Sequence, residues 1–400
     1  MSIRSVAGAL LGLSIAACSS AGDFRAVPPP SGAPRVASRE SGSNYQYQTI
    51  FSFQGFNGSA PAGALTYFGG KLYGTTMGGG YYSVGIVFSL TPSGSQTVLH
   101  TFGLPGDGAR PEAALTVFDG VLYGTTYAGG AYGKGTVFSV TTHGDERVLY
   151  SFGKTPKDGA QPVAGLTPLN GLLYGTTSAG ANYNAGTVFT MTPGGKETIL
   201  HRFLPYSKKD GQNPFAKLIL FNGLLYGTTE GGGKCQEGTA FSITTSGKER
   251  TLYNFPCQRY DGENPQAGVT VLDGILYGTT TQGGKAFYND GTVYSLTTSG
   301  KERVLFDFYP PSEYGFGPNT SLVPLKGALY GTTPDDAAND AGALYSITPS
   351  GTATVVHSFG VPPDGASPLG GLTNVNGTLY GTTSSGGGVA DAGTVYKVSF

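Results

Sequence analysis

The sequence predicts an all-β protein: a seven-bladed β-propeller built from four-stranded repeats about 50 residues long, its last blade closed by an N-terminal strand. Three observations carry that expectation. The pentapeptide Leu-Tyr-Gly-Thr-Thr occurs seven times, and its tyrosines (Tyr73, Tyr123, Tyr174, Tyr226, Tyr277, Tyr330, Tyr380) stand 50, 51, 52, 51, 53 and 50 residues apart. The composition, with 67 Gly, 12% aromatic and only 12% charged residues, suits short pleated strands joined by tight turns. The ends of the array are complementary: residues 48–53 (QTIFSF) match the fourth strand of a repeat, as at 96–102 and 353–359, whereas the chain stops after a third strand at 393–400.

Residues 1–17 read as a lipoprotein signal peptide. Arg4 precedes an apolar run over 6–17, too short to span a bilayer as a stable helix but the right length for a signal-peptide core. Ile15-Ala16-Ala17-Cys18 resembles the bacterial lipobox, which implies cleavage before Cys18, lipidation of its thiol and anchoring by several acyl chains. The alternative is an ordinary secretory signal that happens to carry a cysteine. Residues 18–46 then comprise the lipidated cysteine and a flexible tether, rich in Pro, Ser, Gly and Ala and with little to bury.

The propeller takes up 47–400. In the second repeat, strand-like runs cover 115–118, 121–126, 135–140 and 147–152, separated by Asp119-Gly120, by a glycine-rich stretch and by a Thr-His-Gly-Asp turn. The rival architecture, a β-solenoid, has a shorter coil period. Pairing 48–53 with 393–400 would close the ring and cover an exposed edge. Aromatic residues recurring once per repeat (Phe88, Phe138, Phe189, Phe241, Tyr294, Tyr345, Tyr396) are the expected filling between blades. In LYGTT itself, Leu72 and Tyr73 are expected on opposite faces, with Gly74 allowing the neighbouring sheet to approach.

Laid end to end, each repeat reads LYGTT, a Gly-rich loop, GTVFS, a Ser/Thr-Gly turn, VLYSFG and DGxxP. This pattern resembles the choice-of-anchor GloVer tandem-repeat proteins, exported bacterial proteins whose repeat array is joined to one of several surface anchors. The resemblance covers 47–400; it implies an anchor, here the Cys18 lipid, and lends no catalytic residues.

Aspartates of the DGxxP signature lie sixteen residues before the repeat tyrosines: Asp107, Asp158, Asp210, Asp261 and Asp364, with Asn57 and Tyr314 in the first and sixth repeats. They form either a ring of carboxylates for cations or a polyhydroxylated ligand, or a set of Asx turns in which Gly takes a positive φ and Pro fixes the way into the next strand. The Gly-rich loops are expected on the same face. They lack the Gly-Lys-Ser/Thr ending of a phosphate loop, but Tyr81, Tyr82, Tyr132, Tyr183 and Tyr288 give them an aromatic face suited to glycans or proteins.

His100, His201 and His357 share one repeat position with Phe51, Tyr150, Tyr253 and Phe306, which reads as a place filled for shape, so neither a catalytic residue nor a metal site is expected. Cys235 and Cys257 belong to one repeat and could form a disulfide in an oxidising compartment. The sixth repeat departs most, with Pro334-Asp335-Asp336 in place of the glycine pair.

Net charge is −1, which gives no electrostatic reason to expect nucleic acid. The expectation is therefore an exported, monomeric cell-envelope lipoprotein, at the outer membrane or cell surface, without cofactor. It would act as a binding module for a glycan or protein. A carbohydrate hydrolase or lyase with its site at the channel mouth is the runner-up, and a structural envelope protein the third reading.

Overall fold

Two-residue turns with both residues at positive φ, such as Asp119 (48°) and Gly120 (76°), match the twist of paired strands and set the first hairpin of each blade. In the computed structural model, residues 45–400 are described apart from 206–209, 257–260, 286–288, 310–312 and 336. Among them the regular elements are strands, assembled into seven four-stranded antiparallel sheets. The second blade runs Thr116–Phe118, Val121–Thr126, Thr136–Val140 and Glu146–Ser151, each strand beside the next. Its outermost pair carries a bulge between Val137 and Phe138, and the other outermost pairs carry one at the same place, which twists the outer strand.

Ring closure follows the sequence expectation. Gln46–Ser52 pairs antiparallel with Thr394–Ser399, so the seventh sheet is completed by the strand that precedes the first blade. Phe53 N–H continues the join by donating to Gly393 O at 2.9 Å.

Apolar burial falls into seven separate layers, one per blade junction. Between the second and third blades, Tyr123, Val137 and Phe152 face Leu166, Leu173, Phe189 and Met191. Tyr380 and Val395 of the last blade face Leu72 and Phe88 of the first in the closing layer. This division lets about 350 residues form one body without one oversized core.

LYGTT is a joint in this masonry. Leu122 points into the layer shared with the preceding blade and Tyr123 into the layer shared with the following one. The glycine does a different job from the one expected. Gly124 lies opposite Phe138 on the next strand of its own sheet, and a Cβ there would stand 2.5 Å from Phe138 Cζ. It makes room for that ring, not for the neighbouring sheet. The first threonine staples blades together: Thr125 Oγ1 donates to Ala164 O at 3.0 Å, as Thr75 does to Ala113 O and Thr228 to Ala267 O.

Candidate functional site at the channel mouth

The second threonine of each LYGTT ties the strand to the rim. Thr126 Oγ1 donates to Ala128 O at 2.8 Å and meets Thr136 Oγ1 at the same distance, fixing the start of the Gly-rich loop. That loop pairs with the Asp-Gly segment of its own repeat, Gly108–Ala109 against Ala128–Gly129, so both signatures share one face. The glycine of the Asp-Gly pair is required by packing: a Cβ at Gly108 would lie 2.4 Å from Thr126 Cγ2, and Gly159 meets Thr177 in the same way. In the five Asp-Gly repeats the positive φ expected at this glycine sits two residues later, before the proline, at Arg110 (55°), Gln161 (56°), Asn213 (56°), Asn264 (54°) and Ser367 (52°), whereas Gly58 (117°) and Gly315 (68°) of the first and sixth repeats do carry it.

The aspartates are drawn into the protein's own hydrogen bonds. Asp158 Oδ1 accepts from Gly159 N–H, and Oδ2 accepts from Gly153 N–H, Lys154 N–H and the Tyr150 hydroxyl. Asp107 and Asp210 accept from backbone N–H groups and from His100 and His201; Asp261 accepts from Gly262 N–H and Tyr253, and Asp364 from His357. Their geometry is that of turn-building groups and not of a free carboxylate ring. The histidine position is likewise more than a shape: where it holds His or Tyr, that side chain bonds the aspartate.

The next blade adds a glutamate. His100, Asp107 and Glu146, and again His201, Asp210 and Glu249, bring three ligand-type atoms within 4.8 Å of one another. Metal binding is the obvious question for such a trio, but Asp107 and Asp210 already accept several donors and the equivalent junctions carry Tyr in place of His. Burial pushes Glu146, Glu197 and Glu249 up to about 7, and Glu302 up to about 8.

Of the rim tyrosines, Tyr81 (86% exposed), Tyr183 (63%), Tyr132 and Tyr82 reach solvent, with Tyr81 and Tyr82 in edge-to-face contact at 4.8 Å. All four belong to the first three repeats. Cys235 is disulfide-bonded. Cys18, Cys257, Tyr288 and Asp336 lie outside the described residues.

A cavity of about 600 Å3 opens on the other side of the rim, over repeats five to seven. Local chain chemistry explains its place. The residue after LYGTT is Met77, Tyr127, Ser178 or Glu230 in the first four repeats and Thr281, Pro334 and Ser384 here, so that three small side chains in succession leave room. Its wall includes Gln266, Asn319, Asp290, Asp335 and Phe316. Asp335 stands where other repeats carry Gly78, Ala128, Ala179, Gly231, Gln282 and Ser385, and its carbonyl accepts from Phe316 N–H at 3.2 Å, in place of the short two-stranded pairing. Sequence reasoning marked the sixth repeat as divergent and passed over Gln266 and Asn319. Aligning the residue after the recurrent proline (Ala62, Glu112, Val163, Phe215, Gln266, Asn319, Leu369) would have exposed that column as the variable one.

Fold and site together define a closed seven-bladed repeat propeller with a polar cavity where the repeats diverge. The chain belongs to the Gloeobacter/Verrucomicrobia repeat family, whose sequence profile matches residues 39–241 and 222–400. No curated protein matches it. Among solved structures it is similar to PorZ, a bacterial surface component of the type-IX secretion system of Porphyromonas gingivalis (12% identity, TM-score 0.53, 84% of this chain and 46% of that one). It is also similar to a puromycin-hydrolyzing peptidase of Mycobacterium tuberculosis (12% identity, TM-score 0.50, 82% and 50%). A third match is the N-terminal domain of Nup159 (14% identity, TM-score 0.48, 91% and 98%). At such identities the likeness is one of fold.

Proposed function

We propose that this protein is an exported, lipid-anchored binding module of the bacterial cell envelope, which holds a polyhydroxylated ligand at the mouth of its propeller channel. The observation that carries the reading is the cavity over repeats five to seven, where amides (Gln266, Asn319), carboxylates (Asp290, Asp335) and one aromatic ring (Phe316) converge. Amides donate to and accept from sugar hydroxyls, carboxylates accept from them, and a ring offers a face for the sugar's C–H surface. The Ile15-Ala16-Ala17-Cys18 sequence supports anchoring, and the tether after it supports display away from a membrane.

Glycan-array binding by the residue 19–400 protein tests the binding reading, with Phe316→Ala and Asn319→Ala as controls. Binding lost in both variants supports it; binding unchanged in both overturns it. Anchoring is tested by radiolabelled palmitate incorporation, which must disappear in Cys18→Ala. A second reading, carbohydrate hydrolysis, is favoured by the pair of carboxylates lining one cavity, since glycoside cleavage uses two. Release of reducing ends from a bound glycan, lost in Asp335→Asn, would select it.

A further inference from the structure

The ring of residues two places below the mouth is small in six repeats, Ala64, Ala114, Gly165, Gly268, Ser321 and Gly371, and a lysine, Lys217, in the fourth. These residues line the central channel, a cavity of about 360 Å3. Lys217 crosses the third blade to reach the second: its Cδ passes over Gly165, and its ammonium donates to Thr116 Oγ1 at 3.2 Å. That hydroxyl spends its own proton on Leu166 O at 2.6 Å, so it faces the ammonium as an acceptor.

One neutral acceptor satisfies one of three N–H groups on the lysine. Among the described residues Lys217 forms no ion pair. The other charged side chain lining this channel, Glu112, is held by Arg110 at 2.9 Å. Desolvation pushes the lysine amine down to about 8, so at neutral pH it remains mainly cationic while short of solvent. Holding a half-buried charge without an ionic partner is costly, and nothing in the repeat architecture asks for it, since six blades do without. Gln266, Asn319 and Leu369 line both this channel and the mouth cavity, so the two adjoin.

We infer that the ligand of the mouth cavity is acidic: its hydroxyl-bearing part rests among Gln266, Asn319 and Asp335, and a carboxylate or phosphate on it reaches down the channel to the Lys217 ammonium. This rests on the reading of the mouth as a site for polyhydroxylated ligands, and it specifies the substrate class as acidic sugars, such as uronic acids, or sugar phosphates.

The test uses lysine-labelled residue 19–400 protein, with the Lys217 Cε and Nζ resonances assigned through Lys217→Met. Three probes are titrated: inorganic phosphate, trigalacturonate and the methyl ester of trigalacturonate. Phosphate and trigalacturonate are expected to move the Lys217 resonances, and trigalacturonate is expected to bind at least tenfold more weakly to Lys217→Met. The neutral ester should bind both proteins alike. Lys217→Ala, which installs the residue of repeats one and two, repeats the comparison should Lys217→Met fold poorly. If ester and acid bind equally and the substitutions change nothing, the channel inference is overturned while the mouth reading survives. If phosphate alone moves the lysine and no glycan binds, the anion site stands and the mouth reading falls. If no probe moves the lysine, the inference is overturned.

Discussion

His100 Nε2 lies 3.0 Å from Asp107 Oδ2, and this pair links two signatures that look unrelated in the sequence. The same bond recurs as Tyr150–Asp158, His201–Asp210, Tyr253–Asp261 and His357–Asp364. Where the donor position holds phenylalanine, the aspartate is gone: Phe51 goes with Asn57, and Phe306 with Tyr314. At the latter junction the whole trio has turned over, since Ala353 replaces the glutamate, Tyr314 fills the space, and its ring meets Phe306 at 5.1 Å.

Coupling of this pair makes a direct prediction. His100→Phe should cost about 1–3 kcal/mol in urea unfolding, because a half-buried carboxylate loses a donor. Adding Asp107→Asn, which reproduces the Phe51/Asn57 combination, should recover at least about 0.5 kcal/mol relative to the sum of the single changes. Strict additivity would show that the two positions vary independently.

The glutamates at four of the five polar junctions set a pH dependence. Burial first, then the Asp261 charge, raises Glu302 to about 8 from an ordinary 4.5, so the folded state holds a proton that the unfolded state releases. Stability from this group is fully present below the ordinary carboxylate range and is lost as pH rises through about 8. Glu146, Glu197 and Glu249, raised to about 7, act in the same direction. The thermal midpoint should therefore fall between pH 5 and pH 9, and Glu302→Gln should flatten the upper part of that fall; solvent around these half-buried groups keeps the effect modest. A midpoint that rises over the same interval would contradict the assignment.

The ring, its blade count and its closure were legible because they are written as periodicity, and periodicity survives without any knowledge of three-dimensional contacts. What each repeated residue does was less so. Gly124 and Gly108 both make room for side chains, Phe138 and Thr126, that the sequence places 14 and 18 residues away, and only the sheet register brings them together. The mouth cavity was half visible: the oddity of Pro334-Asp335 could be read, while the convergence of Gln266, Asn319 and Ser384 from three repeats could not. Lys217 lay hidden in an otherwise regular strand approach.

Closure predicts a large effect of a small deletion. Removing residues 45–53 strips the outer strand from the last blade, exposes the edge of Thr394–Ser399 and takes Phe53 from the closing layer. The thermal midpoint should drop by roughly 10 °C or more, with concentration-dependent association through the open edge. An unchanged midpoint would mean that the ring does not depend on this strand.

LYGTT should be intolerant at two adjacent positions for two different reasons. Gly124→Ala puts a methyl group against the Phe138 ring and should cost about 1–3 kcal/mol through overpacking. Thr125→Val keeps the shape but leaves Ala164 O without the donor it has at 3.0 Å, at a cost of about 1–2 kcal/mol. Because the first acts within a blade and the second between blades, the pair should be close to additive in equilibrium unfolding.

The opposite sign is expected at Tyr294. Its ring occupies the place that Phe88, Phe138, Phe189 and Phe241 hold in the first four blades, lying over Gly278 as theirs lie over Gly74 and its equivalents. The hydroxyl is fully buried and has no hydrogen-bond partner among the described residues, as at Tyr345 and Tyr396. Burying a hydroxyl without a partner is unfavourable, whereas the phenyl ring keeps every apolar contact. Tyr294→Phe should therefore raise stability by about 1 kcal/mol, and the mirror change Phe138→Tyr should lower it by a similar amount. Guanidinium unfolding midpoints of the two variants decide the matter: a loss of stability in Tyr294→Phe would mean that its hydroxyl is bonded in solution.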